Sequence, residues 1–226
     1  MTDKKLLLAI ETSGSVCGVC LGDDSGVIAE YSLYGKNLHD KMLSELIRRI
    51  TNDFNYKIDD LGAVAVSAGP GSFTGLRIGA SVAKALCYGD DPKLIAVPTL
   101  SALAISASET AEAMKVKSII PVIPAYKNII YYQEFDPEGK EISAIESVEY
   151  DDFPDNKIEN TLFCGPGSNM VKGGLNIGIH NELNSRMIFR LGYEYFRDSK
   201  FTKADDFIPM YVQEFQPKTG RKNLKI

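Results

Sequence analysis

Histidine is almost missing from this chain: His39 and His180 are the only two in 226 residues. With no acidic cluster between them, they form no recognisable zinc or iron ligand set. They also leave a serine nucleophile without a base. Ser72 lies in Gly71-Ser72-Phe73-Thr74-Gly75, which matches the G-x-S-x-G elbow only loosely. Cysteine is scarce too. Four of them, without a secretory signal, point to a reducing compartment, and the cytoplasm is the expected location. Cys17 and Cys20 have C-x-x-C spacing, but on a strand residues three apart face opposite ways, so both read as core thiols. Long hydrophobic runs are lacking. Leu6 to Ile10 is stopped by Glu11, too short for a signal-peptide core, and nothing later approaches a membrane span. Positive charge is in short supply as well: 25 Lys and Arg against 30 Asp and Glu give a net charge of −5. That excludes a general attraction to nucleic acid or anionic membrane. Locally basic residues gather at the end, in Lys218, Arg221, Lys222 and Lys225.

What is present is an ordinary globular composition, 44% hydrophobic and 24% charged. Its organising stretch is Ser67 to Gly79. An apolar run from Ala63 to Val66 reads as a buried strand, and Leu76 to Tyr88 as a helix. Between them Gly69, Pro70 and Gly71 are turn residues, and Ser72 or Thr74 is placed to cap the helix. A strand, a glycine turn and a helix N-terminus together can cradle an anion, with Glu11, Thr12, Ser13, Gly69, Gly71 and Ser72 as the candidate residues. A tight connection with no ligand is the alternative. The helix has a narrow polar stripe, Arg77, Ser81, Lys84 and Tyr88, which implies a second cover besides the parent sheet.

In chain order, strands are expected at Leu6 to Glu11, Val16 to Leu21 and Val27 to Leu33, and a helix from His39 to about Asn52. That helix carries Met42, Leu43, Leu46, Ile47 and Ile50 on a face wider than the usual stripe of about 100°. A strand at Leu94 to Val97 precedes a helix from Thr99 through Ala107. The pattern then restarts. Glu11 to Gly26 aligns without a gap on Pro124 to Gly139, with strands expected at Ile119 to Ile123, Ile129 to Phe135, Ile142 to Glu149 and Thr161 to Cys164. A last helix is expected at Arg186 to Arg197. The result is an α/β protein of two lobes, 1–107 and 108–226, the second a degraded copy of the first.

A duplicated fold of this kind would bring two carboxylates to one cleft. Here Glu11 is matched by Pro124, which argues against nucleotide hydrolysis. The glycine turn is no P-loop either, since no lysine follows Gly75.

The unbroken run G-P-G-S-F-T-G-L-R-I-G at Gly69 to Gly79, with Leu8-Ala9-Ile10-Glu11-Thr12-Ser13, Leu38-His39 and Val97-Pro98-Thr99-Leu100, resembles the bacterial TsaB (YeaZ) family. The resemblance implies the duplicated ribonuclease H-like fold of actin and sugar kinases. It also implies membership in the machinery that places threonylcarbamoyl on the adenosine next to the anticodon in tRNAs reading codons that begin with A. In that family TsaB is a non-catalytic scaffold, TsaD is the catalytic subunit and TsaE is an ATPase. TsaD's two metal-binding histidines would fall on Thr99 and Leu103 here, so the resemblance implies no metal. Family members usually carry Asp where this chain has Glu11, Asp-Ala-Arg and then Glu where it has Pro124-Ala125-Tyr126 and Ile129, and Tyr-x-Arg where it has Tyr211-Val212-Gln213.

The expected partners are therefore TsaD, TsaE, a second copy when TsaD is absent, and tRNA through the complex. No intrinsic cofactor is expected, with an adenine nucleotide at the complex interface left open. The expected partner surface is His39, Met42, Leu43, Leu46, Ile47 and Ile50 on the first helix, with Gly75, Leu76, Gly79, Ala80, Ala83 and Leu86 on the second. Gly75, Gly79 and Ala83, spaced by four, would admit a partner helix to about 8 Å. A stand-alone kinase or ATPase of the actin fold, and an interaction module serving another complex, are the competing readings.

Overall fold

The computed structural model describes residues 5–35 and 38–211. Strands β1 (Leu6–Glu11), β2 (Val16–Asp23), β3 (Gly26–Tyr34), β4 (Leu61–Gly69) and β5 (Lys93–Pro98) form one sheet in the order β3-β2-β1-β4-β5. β1 runs antiparallel to β2 and parallel to β4. Its six residues are all buried, as expected of a strand covered on both faces. Leu6, Leu8 and Ile10 join the layer under α1 (His39–Asp53) and α2 (Phe73–Leu86), with Cys17, Val19, Val64 and Val66. Leu7 and Ala9 point the other way, with Cys20, Ala63 and Ala65. Cys17 and Cys20 thus lie in separate layers, and burial pushes their thiols up to about 11 and about 12.

The second sheet repeats the first. β6 (Ser118–Pro124), β7 (Ile129–Tyr132), β8 (Glu146–Glu149), β9 (Thr161–Cys164) and β10 (Leu175–Asn176) take the order β10-β9-β6-β7-β8. β6 is antiparallel to β7 and parallel to β9, as β1 is to β2 and β4. This is the duplicated ribonuclease H-like fold. Glu11 ends β1 and Pro124 ends β6, so the two occupy corresponding places. The gapless alignment slips by one step in the hairpin: Glu11 pairs with Gly18, but Pro124 pairs with Ile130. The second turn is tighter, and one step of register exchanges the faces of the following strand.

The helix between the lobes departs from expectation. α3 (Thr99–Met114) crosses position 107, where the lobe boundary was expected, and closes on Lys115 in the left-handed region (φ 55°). It packs on β6 and β9 of the second sheet, while α4 (Ser185–Arg197), from the second half, packs on the first. Gly192 and Ala65 let α4 lie close: a Cβ at Gly192 would meet the Ala65 methyl at 2.7 Å. On its outer face the second sheet has short 3-10 turns where the first has α1 and α2. Phe153 covers it there, with ring centroids 4.9 Å from Tyr132 and 5.6 Å from Phe163. β7 ends at Tyr132 rather than Phe135, and β8 begins only at Glu146.

Candidate partner surface and anion-binding turn

β4 delivers the glycine turn, and α2 begins at Phe73, three residues before the expected start. Ser72 caps it, its Oγ accepting from the Gly75 N–H at 3.2 Å. The turn is docked on the loop between β1 and β2. The Ser72 N–H donates to the Ser13 carbonyl at 2.7 Å, and the Thr12 hydroxyl donates to the Gly75 carbonyl at 2.8 Å. A Cβ at Gly75 would strike the Thr12 carbonyl, and one at Gly79 the Thr12 hydroxyl. The chain's own turn therefore already requires glycine at 75 and at 79. Gly69 (φ +104°) adopts a backbone conformation that favours glycine, and its N–H donates to Thr99 Oγ1 at 3.1 Å.

The residues expected to hold an anion do converge, but the amides of Thr12, Ser13, Gly69 and Ser72 already donate within the chain. Ser13 N–H and Oγ reach Glu11 Oε1 at 2.5 and 2.6 Å, and the Gly14 N–H reaches the same oxygen at 3.2 Å. The Thr12 N–H donates to Ser67 Oγ at 3.4 Å. Three consecutive amides that would face an incoming phosphate are thus turned onto side chains of this chain. Glu11 is fully buried, and its Oε2 accepts no hydrogen bond among the described residues. Burial pushes its carboxyl up to about 7, against the bonds from Ser13, Ser67 and Gly14, which favour the anion.

Of the twelve residues expected at the partner surface, nine are buried inside the chain: Leu43, Leu46, Ile47, Ile50, Gly75, Leu76, Gly79, Ala80 and Ala83. The wide apolar faces serve this protein's own core first. His39 is half-buried, with Nε2 3.2 Å from the Val16 carbonyl oxygen, which ties α1 to β2. Met42 and Leu86 remain half-buried, and with them Ile78 and Val82, which the sequence reading did not single out. Their spacing (Ile78, Val82 and Leu86, each four apart) was the available signal. Two shallow depressions flank this line, one of 420 Å³ reaching Ile78, His39 and Thr74, the other of 370 Å³ reaching Leu86, Ser44 and Arg48.

The second cover of α2 comes from residues 201–211. Ala204 and Phe207 join the core layer of Ala80, Ala83 and Cys87. Lys84 Nζ donates to the carbonyls of Asp205 and Phe207 at 3.3 and 3.1 Å, and the Met210 N–H donates to the Ala68 carbonyl at 2.7 Å. Arg77 sits 3.9 Å above the Phe73 ring and 5.8 Å from that of Tyr211. Two of the four residues of the polar stripe of α2, Lys84 and Arg77, thus contact residues 205–211. Gln213 and the basic residues Lys218 to Lys225 lie outside the described residues.

The family model described as tRNA N6-adenosine threonylcarbamoyltransferase (TsaD) matches residues 27–170, well over half of the chain. The chain belongs to this family. Within it the relatives place it with TsaB (YeaZ). It is 39% identical over 98 residues to the tRNA threonylcarbamoyladenosine biosynthesis protein TsaB of Bacillus subtilis, a stretch covering 43% of each chain. Against the TsaB of Haemophilus influenzae it is 26% identical over 218 residues, covering 92% of this chain and 83% of that one. With the Escherichia coli TsaB the match is 31% over 145 residues, 62% of this chain and 61% of the relative. The structure of YeaZ from Pseudomonas aeruginosa shares the fold at a TM-score of 0.75 and 20% identity, over 92% of this chain and 100% of that one.

In this TsaB-family chain Thr99 accepts the Gly69 amide and Leu103 is buried in the core. Among the described residues no group of three or more His, Cys, Asp or Glu is placed to hold a metal ion. No described helix is long and apolar enough to cross a membrane.

Proposed function

We propose that this chain is a non-catalytic scaffold subunit of the machinery that transfers threonylcarbamoyl to the adenosine beside the anticodon of tRNAs reading codons that begin with A. Its outer α1–α2 face would hold the TsaD catalytic subunit, through His39, Met42, Ile78, Val82 and Leu86. The observation that carries this is the line of half-buried apolar side chains on α2, beside α1, still partly open to solvent after the chain has packed its own core. The engaged amides of the β1–β2 turn, and Pro124 in the place corresponding to Glu11, support a scaffold over a stand-alone kinase or ATPase.

On this reading TsaE docks on the assembled pair, and any adenine nucleotide belongs to the interface of the complex. Transfer RNA is engaged through the complex, in keeping with a net charge of −5. Alone, the protein pairs with a second copy through the same face. Co-expression with the TsaD of the same genome, followed by size-exclusion chromatography and tRNA nucleoside analysis, tests the proposal. A stable heteromer and restored modification are expected. Failure to co-elute, or nucleotide turnover by this chain alone that Glu11→Ala abolishes, would overturn it.

A further inference from the structure

We propose that the turn Thr12–Gly14 is an oxyanion cradle filled in cis by the Glu11 carboxylate, and that removing this side chain uncovers a binding site for a small carboxylate. Two successive backbone amides and one hydroxyl point at a single oxygen, Glu11 Oε1. Converging main-chain donors of this kind are what anion-binding nests are made of. The second oxygen, Oε2, is buried and accepts nothing among the described residues. The carboxylate is therefore held by the turn through one oxygen, while the other is buried without a hydrogen-bond partner among the described residues.

The cradle does not depend on its occupant for its shape. Ser13 is fixed from outside by the Ser72 N–H on its carbonyl, and Thr12 by its own hydroxyl on the Gly75 carbonyl. Gly71, Gly75 and Gly79 bring the glycine turn and α2 hard against Thr12 and Ser13, where any Cβ would collide. Shortening Glu11 to alanine removes the atoms of one acetate and leaves these donors in place. It strands the buried Ser13 amide and the part-buried Gly14 amide without that partner, which favours any small anion that can enter. In the unaltered protein the same amides are closed to a phosphate. This inference is independent of the scaffold proposal: the cradle can be self-filled whether or not α1 and α2 bind TsaD.

The test compares the unaltered chain with Glu11→Ala in thermal unfolding, with acetate as the probe and sodium chloride at equal ionic strength as the control. The unaltered chain should respond alike to both salts. Glu11→Ala should unfold at lower temperature, and acetate should raise its midpoint saturably, with an apparent affinity at least tenfold above any acetate effect on the unaltered chain. A folded Glu11→Ala that responds alike to acetate and chloride would overturn the proposal. Should that variant fail to fold, amide hydrogen exchange on the unaltered chain decides. Ser13 and Gly14 must be protected like strand amides although they lie in a turn, and exchange at open-loop rates overturns the assignment.

Discussion

Glu30 on β3 and Ser185 at the start of α4 are 155 residues apart in sequence, yet the Ser185 hydroxyl donates to Glu30 Oε1 at 3.0 Å. The same oxygen accepts the Arg186 N–H at 3.2 Å, and Arg186 Nε reaches Oε2 at 3.2 Å. A carboxylate from the first sheet thereby sits at the positive end of the one helix that the second half lends to it. Asn184 caps that helix independently, accepting the Met187 N–H at 3.0 Å.

Glu30→Ala should therefore lower stability by about 1–2 kcal/mol, the scale of a lost helix-terminal carboxylate with charge-assisted bonds. Arg186→Ala should cost less, under about 1 kcal/mol, because its side chain is largely exposed and the ion pair is screened. Urea unfolding of the two variants checks the order, and an equal or reversed ranking contradicts it.

Glu11 predicts an unusual pH dependence. Its carboxyl is raised from 4.5 to about 7 in the folded chain, so the fold binds a proton that the unfolded chain has released. The contribution to stability is fully present below about 4.5 and falls as pH rises to about 7, by roughly 3 kcal/mol in total. Asp23 and Asp198 are shifted down and act in the opposite direction at more acid pH, weakly because both are exposed. Chemical denaturation should show stability declining from pH 4.5 to about 7 and levelling off above it. Glu11→Gln should flatten the slope; an unchanged slope in that variant would assign it to other groups.

Much of this architecture was legible because it follows from apolar runs and turns. Thr161–Cys164 was expected to the residue, and the repeat of the β2–β3 turn in the second half was visible in Asp23 and Gly26 against Asp136 and Gly139. What pattern could not show was where an apolar face would find its cover. Ala204 and Phe207 arrive at α2 from residues far along the chain, and the narrow polar stripe holding Lys84 and Arg77 gave no sign of their partners at 205–211. The engaged turn amides were equally hidden. The order Glu-Thr-Ser-Gly is compatible with an open phosphate loop, and only the path of the Glu11 side chain decides otherwise.

The covering segment itself makes a prediction. Phe207 is 4% exposed, and truncation to alanine should cost about 3–5 kcal/mol, the range for a buried phenylalanine. Lys84→Ala, which removes two bonds to main-chain carbonyls, should leave the fold intact but loosen residues 205–211. Limited proteolysis should then cut Lys84→Ala in this segment several times faster than the unaltered chain. Equal cleavage rates would show that Lys84 does not hold it.

The last prediction separates the core of α1 and α2 from their outer face. Leu46→Asp and Gly79→Leu look like interface mutations in sequence, but the structure moves both into the fold. Leu46 is 4% exposed, and a side chain at Gly79 would strike Thr12. Each should destabilise the chain itself by several kcal/mol, through a buried charge in one case and a backbone collision in the other. Val82→Asp is the cleaner probe, because Val82 is only half-buried and lies on α2 between Ile78 and Leu86 in the half-buried line. It should cost little in the isolated chain, about 1 kcal/mol. A charge placed at the centre of the proposed seam should nevertheless weaken capture of TsaD at least a hundredfold, because it would be desolvated there without a partner. Circular dichroism and unfolding report on the first effect, and titration against purified TsaD on the second. If Val82→Asp folds normally and still binds TsaD with unchanged affinity, the outer face of α2 is not the docking surface.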